Sequence, residues 1–70
     1  MKIILKDTEQ FRITLIQKGF SQRQFSKNIG MSEAYLHQII RQKKNPSPAI
    51  AKKITDQLEL EFQDIFKVEA

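Results

Sequence analysis

Seventy residues, 40 % hydrophobic and 29 % charged, make one small domain and leave little room for a deep substrate pocket. There is no cysteine, so disulfides and cysteine-based zinc sites are excluded, and the longest apolar run, Ile3-Ile4-Leu5, is far below the roughly 20 residues of a membrane span. The net charge of +4 is unevenly spread: the segment from Arg12 to Lys53 carries +8, with Glu33 its only acid, and the residues after Lys53 carry −4.

In chain order, Asp7 is the N-cap of a first helix, with Gln10 three residues on as its capping-box partner. Phe11, Leu15 and Lys18 share a stripe, Ile13 and Ile16 are expected to widen the apolar face, and Gly19 ends the helix. Ser21 then caps a second helix, Gln24 completes a second capping box, and Phe20 is placed to staple onto Phe25. Phe25 and Ile29 face inward before Gly30, a left-handed C-cap. Met31-Ser32 repeats the device: Ser32 caps, Glu33 suits the positive helix end, Met31 staples onto Leu36, and Leu36, Ile39 and Ile40 form the buried stripe.

Gln42-Lys43-Lys44-Asn45-Pro46 is a polar loop, and Ser47-Pro48 opens a fourth helix with Ile50, Ala51, Ile54 and Leu58 at helical spacing. A last turn near 61–65 carries Phe62 and Ile65 inward. Lys2 to Leu5 and Phe66 to Val68 are β-prone but too short to persist alone, so they are expected to pair antiparallel and tie the ends together. The expected architecture is all-α, one domain over 1–70, with five short helices around one core and this small two-stranded pairing. No signal-peptide apolar region is present, so a cytoplasmic protein is expected.

Catalytic readings are thin. Ser21 and Ser32 are explained by capping, and no histidine–carboxylate arrangement accompanies either. His37, with Glu33 one turn earlier, makes at most half a metal site. No glycine-rich phosphate loop is present. Accordingly no catalytic residue, metal or cofactor is assigned. Phe11, Phe20, Phe25, Phe62 and Phe66 are assigned to the core, and Lys52 and Lys53 to solvent.

Two short helices flanking Gly30 form the unit that enters the DNA major groove, and a basic middle fits a polyanionic partner. Gly19-Phe20-Ser21-Gln22, Phe25-Ser26, Ile29-Gly30, Ser32, Leu36, Ile39, Pro46, Ile50, Ile54 and Leu58 together resemble the Cro/C1-type helix-turn-helix proteins, the phage-repressor-like XRE family, over about residues 8 to 66. The resemblance implies a lambda-repressor-like fold and a transcriptional regulator, a repressor of a bacterium, phage or mobile element, that binds double-stranded DNA. It further implies that bases are read from Ser32, Glu33, Ala34 and Gln38, with His37 beside them. Gln38 can bond bidentately to adenine, Glu33 can accept from a cytosine amino group, and Ala34 can touch a thymine methyl. By the same resemblance the phosphate contacts fall to Ser21, Gln22, Arg23, Arg41, Lys43, Lys44 and Asn45, together with Tyr35, for which half-buried packing is an equal alternative.

Three positions depart from the family pattern. An arginine–glutamate pair common in relatives is replaced by Leu15 and Ile40, and an apolar contact can substitute for a buried ion pair without loss of stability. Two glycines are replaced by Gln42 and Glu59, each costing about 1 kcal/mol if its backbone is left-handed. Glu33 is an acid at the groove-facing tip, either a cytosine reader or a helix-start residue. One module reaches one half-site, so a homodimer on a palindrome is expected, with half-sites about 10 bp apart or a multiple of that. The segment from Leu58 onward, rich in Phe and Ile, is the expected dimer surface. The rival reading is an interaction module, an antirepressor or antitoxin-like partner of another regulator.

Overall fold

Four polar side chains start the four longer helices. In the structure, a computed structural model describing residues 1–70, Asp7, Ser21, Ser32 and Ser47 accept from the backbone N–H of Gln10, Gln24, Tyr35 and Ile50 at 3.0–3.2 Å. The elements that follow are α1 (Thr8–Gln17), α2 (Gln22–Asn28), α3 (Glu33–Ile40) and α4 (Pro48–Leu58). A short α5 (Phe62–Ile65) completes the five helices, and strands β1 (Lys2–Leu5) and β2 (Phe66–Glu69) bracket them. The reciprocal halves of the two expected glutamine capping boxes are not made. Gln10 Nε2 instead donates to Thr14 Oγ1 at 3.5 Å and Gln24 Nε2 to Asn28 Oδ1 at 3.1 Å, because each amide finds a side-chain acceptor one turn further along its own helix. Only at α5 does a side chain reach back, where Asp64 accepts from the Glu61 N–H at 3.0 Å.

The helix ends share one geometry. A backbone N–H reaches five residues back at the close of α1 to α4 (Phe20 to Leu15, Met31 to Ser26, Lys43 to Gln38, Leu60 to Thr55), at 2.8–3.0 Å. The residue before each donor is left-handed: Gly19 at φ 84°, Gly30 at 73°, Gln42 at 59° and Glu59 at 57°. The Gln42 side chain also donates to the Leu5 carbonyl at 3.4 Å, a bond that glycine could not make and that joins the α3–α4 loop to β1. Glu59 has no such compensation. Glu59→Gly is therefore expected to raise unfolding stability by about 1 kcal/mol, less the added freedom of the unfolded chain. Urea denaturation checks this, and an unchanged or lowered midpoint would contradict it.

The termini pair as expected, antiparallel, from Lys2↔Glu69 to Leu5↔Phe66. Leu5 and Phe66 close one end of a core whose largest fully buried side chains are Phe25, Phe66, Leu15, Leu36, Ile39, Ile54 and Leu58. Phe25 lies edge-to-face with Phe20 (5.4 Å between ring centres) and Phe11 (6.3 Å), so the expected staple is present. Met31 also packs against the core. Leu15 and Ile40 are both buried in it, so these two positions hold no ion pair.

One expectation fails on packing and another loses the reason given for it. Ile13 and Ile16 are 41 % and 74 % exposed and do not widen the buried face of α1. Ile13 lies about 200° around the helix from Phe11, and Ile16 about 100° beyond Leu15, while only one narrow stripe of α1 is covered. The apolar residues that marked the segment after Leu58 as a dimer face are turned inward. Ile65 and Phe66 are core, Leu60 and Phe62 pack against it, and among its large apolar side chains only Val68, 52 % exposed, faces solvent.

Candidate nucleic-acid interface

Helix α3 divides cleanly into two sides. Leu36, Ile39 and Ile40 are buried, whereas Ser32, Glu33, Ala34, His37, Gln38 and Arg41 are exposed. Ala34, Gln38 and Arg41 follow one another at four- and three-residue spacing, so they form one outward stripe along the helix. All five residues expected to read bases are thus brought onto the solvent side of one helix, clamped from behind by its own apolar stripe.

The start of α2 lies against that stripe. Gln22 lines a shallow depression with Glu33, Ala34 and His37. Gln22 and His37 also line a second notch of about 270 Å³, completed by Thr8, Arg12 and Arg41. The sequence-based candidates therefore omit two residues of this surface, Thr8 and Arg12. Their four-residue spacing puts them on one side of α1, but only the crossing of α1 over α3 shows that this side meets His37 and Arg41.

The basic loop is anchored beside Gln38. The backbone N–H groups of Lys43 and Lys44 both donate to the Gln38 carbonyl, at 2.8 and 3.3 Å, and Pro46 is buried, leaving the Lys43, Lys44 and Asn45 side chains in solvent. Ser21 and Ser32 use their hydroxyl oxygens as cap acceptors, which leaves each O–H free to donate outward. Tyr35 is half-buried and packs on the core.

Arg23 and Glu33, assigned to separate roles from the sequence, meet each other. Arg23 Nε stands 3.7 Å from Glu33 Oε1, with side chains 81 % and 51 % exposed. An exposed pair at this separation contributes about 0–1 kcal/mol, so it separates readily when a better partner arrives. Its consequence is electrostatic: the one acid in the basic middle has a cation beside it. Lys52 is held by Asp56 at 3.0 Å on the exposed side of α4.

No set of three or more His, Cys, Asp or Glu side chains converges anywhere in the fold, and no helix is long and apolar enough to cross a membrane. A depression between the C-terminal end of α2 and α4 is walled by Lys27, Lys53 and Asp56 with Ile29 the only apolar side chain, unlike the apolar clefts that enclose small ligands.

A family model described as helix-turn-helix matches residues 11–65, from the first buried aromatic of α1 to the end of α5. Among curated proteins none matches the chain.

Proposed function

We propose, because this chain belongs to the Cro/C1-type helix-turn-helix family of DNA-binding regulators, that it is a repressor that reads operator DNA with the exposed side of α3. The observation that carries the reading is the division of α3: a solvent side bearing Ser32, Glu33, Ala34, His37 and Gln38, bordered by Arg12, Arg41, Lys43 and Lys44, over an apolar side locked into the core. A helix so presented fits the major groove, where Gln38 is matched to adenine and Ala34 to a thymine methyl. Glu33 is matched to a cytosine amino group, which requires it to leave Arg23, and Arg23 is then free to meet a phosphate. Ser32 and His37 complete the reading edge. Ser21, Gln22, Arg12, Arg41, Lys43, Lys44 and Asn45 hold the backbone and set the register without reading sequence. Repression is preferred to activation because occupying an operator needs no surface beyond this one. Origin in a bacterium, phage or mobile element follows the family resemblance. Two copies are required to span a palindrome.

Lys43→Ala separates backbone holding from base reading. It is expected to weaken binding to all duplexes alike and to lower the slope of log affinity against log salt by about 0.9. Fluorescence titrations at several salt concentrations check this. Binding that ignores salt, or a loss confined to one sequence, would remove the role.

The exposed pair Ile13 and Ile16 supports a second reading, a protein partner seated on α1. Its test is a pull-down with the parent and with Ile16→Lys, whose loss of a partner beside unchanged duplex binding would favour it.

A further inference from the structure

Of the cations around the exposed side of α3, one is held by an acid. Arg12, Arg41, Lys43 and Lys44 make no ion pair, and Lys52 pairs within its own helix. Arg23 of α2 instead meets Glu33, the first residue of α3, so the pair bridges the starts of the two helices. Its 3.7 Å separation is too long for a hydrogen bond, so only charge holds it. Glu33 also shares a shallow depression with Gln22, Ala34 and His37, which places its carboxylate among the groove-facing residues. The Arg23 carbonyl accepts from the buried Ser26 hydroxyl at 2.8 Å, a bond that any residue at position 23 would keep.

In water an exposed pair of this kind is weak. Against DNA the balance changes. A guanine facing the helix presents the acceptors O6 and N7, and a thymine presents O4, whereas cytosine presents an amino donor. A carboxylate turned toward acceptors, with water displaced and phosphates nearby, is costly to leave without its cation. Facing the cytosine amino group it has a donor instead, and its cation can depart. We infer that Glu33 withholds Arg23 from DNA that lacks this amino group, so that one phosphate contact forms on the operator alone. Discrimination at that base pair then has two parts, the base contact and the released cation, and the second is electrostatic. The inference rests on the reading of α3 as the groove helix and adds what Glu33 does on DNA that it does not match.

Salt titrations on two duplexes test it. One is the consensus selected from a random pool; in the other, the C·G pair at which Glu33→Ala loses preference is reversed in one half-site. The parent is expected to show a slope of log affinity against log salt shallower by about 0.9 on the reversed duplex, one phosphate contact fewer. Its preference for cytosine should accordingly fall about three- to fourfold between about 50 and 200 mM salt. In Glu33→Ala the two slopes should coincide at the steeper value, because Arg23 is free on both duplexes. In Arg23→Gln they should coincide at a shallower one, and adding Glu33→Ala to Arg23→Gln should leave the slope unchanged. Circular dichroism on each variant confirms that the fold is kept. Equal slopes for the parent beside a cytosine preference that depends on Glu33 would overturn the withholding and leave the groove reading intact. A steepening by Glu33→Ala that persists without Arg23 would also overturn it, since Glu33 would then act on phosphate directly. If no pair loses preference in Glu33→Ala, the cytosine contact and the withholding fall together.

Discussion

Phe25→Ala is expected to leave the domain largely unfolded. The ring is fully buried and lies edge-to-face with Phe11 and Phe20, so it joins α1, the α1–α2 turn and α2 at one point. Truncating a buried phenylalanine costs about 3–5 kcal/mol through lost burial and the cavity left behind. A core in a chain of this size rarely supplies more than about 3–5 kcal/mol in total, so the loss is of the order of the whole stability. Far-ultraviolet circular dichroism and urea unfolding check this. A cooperative transition with a midpoint close to the parent's would show that the three rings do not hold the helix pair together. Because α2 clamps α3 from behind, duplex binding should fall together with the fold.

Gln38→Ala is expected to leave the fold intact and change what is bound. The side chain is exposed, and the loop bonds at this position come from its backbone carbonyl, which alanine retains. A bidentate glutamine–adenine contact discriminates by about 1–3 kcal/mol, or roughly 5- to 150-fold between the preferred base and its rivals. Preference at one or two base pairs should therefore flatten, while the salt slope, set by phosphate contacts, stays as in the parent. The expected pattern is the reverse of that for Lys43→Ala. A Gln38→Ala protein with unaltered sequence preference would remove this residue from the reading edge.

What the sequence made legible is local. Asp7, Ser21, Ser32 and Ser47 announce helix starts because a cap and the amide it satisfies are three residues apart. Gly19 and Gly30 announce stops because glycine readily takes the left-handed conformation that closes a helix, and the outward side of α3 follows from its own apolar spacing. The left-handed Gln42 and Glu59 were legible only through the family resemblance, since neither residue type signals that conformation. Illegible features depend on how separate segments cross. Ile13 and Ile16 resemble core residues until the covered side of α1 is known. Arg12 joins His37 and Arg41, and Arg23 meets Glu33, only once three helices are packed. The capping boxes erred in the other direction: the spacing was right, but Thr14 and Asn28 compete for the same glutamine amides.

Everything proposed for this domain requires the solvent side of α3 to meet base edges in the major groove. Selection of bound duplexes from a random pool, run in parallel on the parent and on Gln38→Ala, tests it most directly. A two-fold symmetric consensus is expected for the parent, with half-site centres about one helical turn apart, and loss of preference at one or two symmetry-related positions for the variant. A parent pool with no enriched sequence, or identical consensus sequences for both proteins, would contradict it.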